Sequence, residues 1–166
     1  MQFYLNGYRV GDPQVLPAAQ DAMGASEGLA EEVDILIAGC GPAGLVLAAQ
    51  LAAFPDIKTC IVEQKPGPLL RGQADGIACR TVEMFEAFGL GQKLVREAHW
   101  VNETVFWRPS KEDRTRIERT GRVEDTEDGL SEFPHVIVNQ ARLQHYLLDY
   151  ARLSPTRLEI GRASCR

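Results

Sequence analysis

The sequence has no apolar run approaching the roughly 18 residues that a membrane-spanning helix needs. Its Ala-rich stretch from Gly44 to Phe54 is too short, so no membrane association is expected. Basic excess is also absent. Eighteen Lys and Arg stand against 23 Asp and Glu, and a net charge of −5 gives no electrostatic footprint for nucleic acid. Met1 to Val10 lacks the basic start, the apolar core and the cleavage-like site of a secretory signal. The four cysteines, Cys40, Cys60, Cys79 and Cys165, show no C-x-x-C spacing. They read as reduced thiols of a cytoplasmic protein, the first three as core filler, and no metal site is expected.

What is present is a strand running into a glycine turn. Val33-Asp34-Ile35-Leu36-Ile37-Ala38 leads directly into Gly39-Cys40-Gly41-Pro42-Ala43-Gly44. Ile35 to Ala38 are expected to form a buried strand, and Gly39 to permit the tight turn. Gly41 lets the backbone approach a pyrophosphate, and Gly44 lets the following helix pack closely on the strand. Ala48 and Leu51 mark the sheet-facing side of that helix. A second strand, Cys60-Ile61-Val62, ends at Glu63, about 20 positions after the glycines, where a carboxylate can hold ribose hydroxyls. A ribose phosphate would be repelled there, which favours FAD or NAD over NADP. With 45% hydrophobic residues in a chain of 166, a core can form, and the pattern predicts a Rossmann-like α/β fold.

Residues 1–32 precede the first strand and read as an extension and linker, with Phe3, Tyr4, Leu5 and Tyr8 available to dock on another domain or subunit. Beyond Glu63 come a Gly/Pro loop, Lys65 to Pro68, and the run Arg71-Gly72-Gln73-Ala74-Asp75-Gly76-Ile77. A helix is expected from Arg80 to Phe88 with Gly89 as its stop, then a helix from Gln92 to Ala98 and a strand from Thr104 to Trp107. Residues 111–128 mix both charge signs, which predicts a solvated hairpin or loop with one strand at Arg114 to Thr120. Pro134 to Val138 reads as a buried strand, and Asn139 as the N-cap of an amphipathic helix with Leu143, Tyr146, Leu147 and Tyr150 on its apolar face. The last eight residues, Glu159 to Arg166, resemble the in-frame reading of a DNA-sequencing adapter and are set apart as a foreign tail. The alternative is a native strand starting at Leu158 to Ile160. The domain proper is therefore placed at 33–158 and expected to be incomplete, since these few elements cannot cover both faces of a parallel sheet.

Taken together, Gly39-x-Gly41-Pro42-Ala43-Gly44, Glu63, Gly72-Gln73-Ala74-Asp75-Gly76-Ile77 with Arg80-Thr81-x-Glu83, and Asn139-Gln140-Ala141-Arg142 resemble the FAD-dependent aromatic hydroxylases, in their phenol 2-monooxygenase branch. The resemblance runs from about residue 33 to 158. It implies an FAD-binding domain and a flavin reduced by NADH or NADPH, which uses dioxygen to place one oxygen atom on a phenolic aromatic acid. It also implies that Gln64 joins Glu63 at the cofactor, that Gly72 to Ile77 line the flavin, that Arg80 and Gln140 contact it, and that Asp75 faces the substrate. A carboxylate beside a phenol can accept its proton and enrich the ring for oxygen attack. Asp75-Gly76 also fits a simple turn, and Gln140 a capping role. His135 is expected either to hydrogen-bond a substrate carboxylate or to be a satisfied structural group. Arg71 can reach a phosphate or point to water. No Gly-Asp-Ala stretch of the kind that meets the ribityl chain follows, so an inactive N-terminal fragment is expected, with a homodimer open to the full-length protein. Two other readings remain open at this point, an NAD-dependent dehydrogenase, which has no use for Gly72 to Ile77, and a non-catalytic dinucleotide-binding module.

Overall fold

The computed structural model describes residues 32–65, 69, 74–127, 129–153 and the backbone of 157–160. The N-terminal extension, most of the Lys65 to Pro68 loop, Arg71, Gly72, Gln73 and the end of the tail fall outside the described residues. Along the chain run β1 (Ile35–Ala38), α1 (Pro42–Leu51), β2 (Thr59–Glu63), β3 (Gly76–Ile77), α2 (Cys79–Ala87), α3 (Gly91–Glu97), β4 (His99–Val101), β5 (Glu103–Pro109), β6 (Ile117–Glu124), β7 (His135–Ile137), α4 (Gln140–Ala151) and β8 (Arg157–Ile160). They divide into two compact units. One is the stretch Asp75–Val138, and the other joins the segments on either side of it, up to Ala74 and from Asn139. Among the described residues no helix is long and apolar enough to cross a membrane.

The second of these units is a parallel sheet in the order β1-β2-β8, with Ile37 opposite Ile61 and Glu63 opposite Ile160. Parallel neighbours need a crossover, and α1 supplies it between β1 and β2. Pro42 stands in its first turn, where the missing N–H costs no helical bond. Leu45, Ala48, Ala49 and Ala52 bury one side of α1, and α4 packs on it with Leu143, Leu147 and Ala151 turned inward. The small residues of α1 let that helix lie close to its neighbours. At Gly44 closeness becomes a requirement, because a Cβ there would sit 2.2 Å from the Gly39 carbonyl oxygen and 3.2 Å from Ile37 Cγ2.

One expectation for this unit fails. β1 is not a buried strand: Ile37 is buried beneath α1, but Leu36 is 61% exposed and Ala38 is exposed as well. β1 is an edge strand of the described sheet, and its alternate residues face away from the helix layer. An apolar run thus reads as buried on both faces while only one face is covered here.

The Asp75–Val138 unit is antiparallel. Its sheet has the order β3-β7-β4, so the short strand β7 pairs on both edges, with Gly76 opposite Ile137 and Val101 opposite His135. Val82 and Phe85 of α2, Leu94 of α3, Phe133 and Val136 are among its buried side chains. Both helices start one residue earlier than their pattern suggests, and Gly89 follows the first as expected. β5 and β6 form a hairpin with a bulge at Phe106/Trp107. The strand expected at Arg114 to Thr120 instead begins at Ile117. Ser110 Oγ accepts the N–H of Glu112, and Asp113 Oδ1 accepts the N–H of Thr115, so side chains hold these residues in the connection.

Gly44→Ala should destabilise the protein by about 1–3 kcal/mol, the usual cost of forcing an extra group into a packed position, because the atom it meets is backbone. Urea denaturation of both proteins would read this as a lowered midpoint at unchanged slope.

Candidate functional site: a glycine turn held by its own chain

Each peptide group between β1 and α1 has an identifiable partner. Gly39 takes φ 108°, a value that side-chain-bearing residues rarely adopt, and its N–H donates to Val62 O at 2.8 Å. The Cys40 N–H donates to Glu63 Oε2 at 2.8 Å, and the Gly41 carbonyl accepts from the Leu45 N–H at 3.0 Å as α1 begins. Glu63, at the end of β2, takes a second backbone bond, from Lys65 N–H to Oε1 at 2.9 Å. The Lys65 N–H, then the Cys40 N–H, hold the Glu63 carboxyl below its ordinary value of about 4.5; the Lys65 charge and the Gln64 N–H add to this, and partial burial opposes it.

These residues fit a dinucleotide. An α-helix leaves its first N–H groups without intrahelical acceptors and carries a positive dipole end, which suits a pyrophosphate. A Cβ built on Gly41 meets nothing within 4 Å, so the backbone there lies open to close approach. The Glu63 carboxylate has about four lone-pair positions, and two backbone donors leave capacity for ribose hydroxyls. Its neighbour Gln64 is exposed. Pro42, Ala43 and Gly44 form the first turn of α1 beside Gly41, so the glycine-turn residues and Glu63 stand together as expected.

Cys40 is buried, and burial together with the Glu63 charge pushes its thiol up, against a smaller lowering by Arg152. A thiol held protonated is a poor nucleophile, which agrees with a packing role. Cys40, Cys60 and Cys79 form no disulfide.

Asn139 caps α4 through its side chain, which accepts the Ala141 N–H at 2.8 Å, so the capping role belongs to Asn139 and Gln140 is the first helical residue. In the Asp75–Val138 unit, Ala74 aside, the predicted residues lie along β3 and its helix. Asp75, Gly76 and Arg80 are exposed, Ile77 is buried, and the Asp75 carbonyl accepts the Val138 N–H at 2.9 Å. Ala74, exposed, is the last residue before this unit. His135 Nδ1 lies 2.7 Å from Asp125 Oδ2, both side chains being partly buried. Its Nε2 is 3.1 Å from where a Gly76 Cβ would stand, so the ring lies against the residue after Asp75. A separate cavity of about 460 Å³ is lined by Trp100, Glu103, Glu124, Glu127, Glu132 and Phe133 among others. Its carboxylates make it unsuited to an acidic ligand, and it contains none of the predicted residues.

Two residues of this arrangement are missing from the sequence reading, Asp125 and Gln144. Gln144 is 6% exposed, and its Nε2 donates to Cys40 O at 3.0 Å. A signal for it exists: Gln144 stands three, four and seven positions before the buried Leu147, Leu148 and Ala151, a polar residue on an apolar helical face.

A parallel sheet whose first crossover opens with a glycine turn, closed by an acid at the end of the next strand, defines a dinucleotide-binding domain. The chain belongs to the FAD binding domain family, whose model matches residues 32–163. It is 61% identical over 159 residues to a 3-hydroxybenzoate 4-monooxygenase of Comamonas testosteroni, a match covering 96% of this chain and 25% of that protein. A phenol 2-monooxygenase of Aspergillus fumigatus is 30% identical over 131 residues, covering 79% of this chain and 22% of the relative. Among solved structures, p-nitrophenol 4-monooxygenase of Pseudomonas putida has the same fold, with a TM-score of 0.65 at 17% identity over 76% of this chain and 31% of that one. The chain thus spans about a quarter of the length of these curated relatives.

Glu63→Arg, made in a full-length protein carrying this segment, should weaken FAD binding by roughly one to two decades, since a charge-assisted hydrogen bond is worth about 1.5–3 kcal/mol. A flavin titration reads this directly, and unchanged affinity would remove Glu63 from the site. Acid should act on the same group. A carboxyl held low contributes above its ordinary value and loses that contribution as pH falls through the lowered one. FAD affinity should therefore be flat from neutral pH down to about 4.5 and fall below it, as followed by release of flavin fluorescence on acidification.

Proposed function

We propose that the full-length protein containing this chain is a flavin-dependent monooxygenase that hydroxylates a phenolic aromatic acid such as 3-hydroxybenzoate, using NADH or NADPH and dioxygen. The observation that carries the reading is the 61% identity to a 3-hydroxybenzoate 4-monooxygenase along 96% of this chain. Bound FAD would supply the redox chemistry: one atom of dioxygen enters the ring, the other leaves as water, and the nicotinamide supplies the two electrons. The chain's own residues bind and orient. The glycine turn and Glu63 hold the dinucleotide, while Gly72 to Ile77, Arg80 and Gln140 meet the flavin. The thiols Cys40, Cys60 and Cys79, reduced and outside any disulfide, are in keeping with a reducing, cytoplasmic setting.

In this reading Asp75 accepts the phenol proton, and the phenolate ring is the better nucleophile towards an electrophilic oxygen. Its backbone is tied to Val138, which leaves an exposed carboxylate on a fixed main chain. As an imidazolium, His135 donates Nε2–H to the substrate carboxylate while Nδ1–H is engaged by Asp125. A cationic or N–H donor beside a carboxylate gives a charge-assisted hydrogen bond, which would favour acids over uncharged phenols.

Asp75→Ala in the full-length protein should leave FAD bound while ring hydroxylation falls by about 10²–10⁴, the usual contribution of a positioned general base. Nicotinamide oxidation should then release hydrogen peroxide in place of hydroxylated product. Full coupling at an undiminished rate would count against the assignment, and so would loss of the flavin, which would make Asp75 a cofactor or structural residue.

A further inference from the structure

Gln144 is a buried polar side chain that none of these roles uses. It projects from α4, 104 residues from its partner Cys40, and is 6% exposed. Leaving a buried amide without partners is costly, and Gln144 has two: its Nε2 donates to Cys40 O at 3.0 Å, and its Oε1 accepts the Leu69 N–H at a longer 3.4 Å. Both partners are main-chain groups of loops, one at the glycine turn and one in the stretch after β2. A side chain that served packing alone would be apolar at this position, as Leu143, Leu147 and Leu148 around it are.

The consequence lies in the planarity of the peptide group. In a trans peptide the C=O and the next N–H point in opposite directions, and the described chain has no cis bond. Tying the Cys40 carbonyl to Gln144 therefore turns the Gly41 N–H away from the Gln144 amide, at a residue where an added Cβ would meet nothing within 4 Å. The preceding peptide is fixed in the same way: the Cys40 N–H is held by Glu63, so the Gly39 carbonyl points oppositely, against Gly44. Two successive peptide planes are thus oriented by two side chains, and the second is set by Gln144.

We infer that Gln144 is a positioning residue for FAD, which aims the Gly41 N–H at the dinucleotide's pyrophosphate by anchoring the Cys40 carbonyl. The inference rests on the glycine turn being the FAD site and is independent of the hydroxylation chemistry. Because a preorganised donor needs no reorientation on binding, its loss is read in affinity.

The test is Gln144→Met in the full-length protein, a change that keeps length and volume and removes both hydrogen bonds. FAD titration of the apoprotein should show a dissociation constant raised about tenfold, the effect of one lost, well-placed hydrogen bond. In the FAD-bound protein, backbone hydrogen exchange should rise at Gly41 while β2 stays protected. A variant that melts lower but binds FAD as tightly as the parent would make Gln144 merely structural and overturn the inference. A parent protein that binds no FAD would instead refute the cofactor site itself. Should the variant fail to fold, a crystal structure of the parent holoprotein decides: the Gly41 N–H on a pyrophosphate oxygen with Gln144 on the Cys40 carbonyl is expected, and a Gly41 N–H aimed elsewhere overturns it.

Discussion

The architecture of the dinucleotide unit depends on one close approach, the Gly39 carbonyl against Gly44. With the built Cβ only 2.2 Å from that oxygen, no other residue lets α1 begin where it does. From that contact follow the angle at which α1 leaves β1, the burial of Ile37 beneath it and the seat of Ala48 and Ala49 among the packed elements. The hydrogen bond from Cys40 to Glu63 then links the turn to the end of β2, so the group expected to hold a ribose also holds the loop expected to cradle the phosphates. Local geometry and ligand chemistry are set by the same few atoms. Such consistency between levels marks a sequence that specifies its site as it specifies its fold.

The Asp75–Val138 unit uses a different device. Its central strand β7 is three residues long, too short to fix much by itself, yet it pairs with β3 on one edge and β4 on the other. That double pairing fixes the main chain of Asp75 through Val138 and brings the His135 ring onto Gly76. Asp125, just beyond β6, supplies the carboxylate that engages His135 Nδ1. His135 is thus carried by a paired strand, and Asp75 and Asp125 stand directly beside β3 and β6, their main chains bonded to Val138 and Asn102. Precision of that kind is what proton transfer requires of a base and its substrate.

How far the sequence could be read depends on how local each determinant is. The glycine turn is legible because Gly39, Gly44 and Pro42 each answer to a constraint within a few residues, and Asn139 announces its helix through a cap two positions away. Glu63 is legible because strand-turn-helix-strand spacing places it. Its bonds to Cys40 and Lys65 are not, since they depend on where β2 ends relative to the turn. The start of β6 is misplaced because Ser110 and Asp113 divert the backbone into side-chain bonds that charge patterning does not reveal. The burial of β1 is overstated because a run of Ile and Leu is the same whether one face is covered or two.

Gln144 and Asp125 show why function is harder to read than fold. Their partners lie 104 and ten residues away and are chosen by tertiary packing, with no spacing rule to connect them. What the sequence does offer is a mismatch. A polar residue inside an apolar helical face must find partners or destabilise the protein, and the partners must be groups that the fold leaves unpaired. Such groups gather where backbone departs from helix and sheet, and turns that bind ligands are among the commonest of these places. A buried amide at the phase of Leu147 and Ala151 thus points to an irregular loop packed beneath its helix, and here that loop is the glycine turn proposed to hold the dinucleotide.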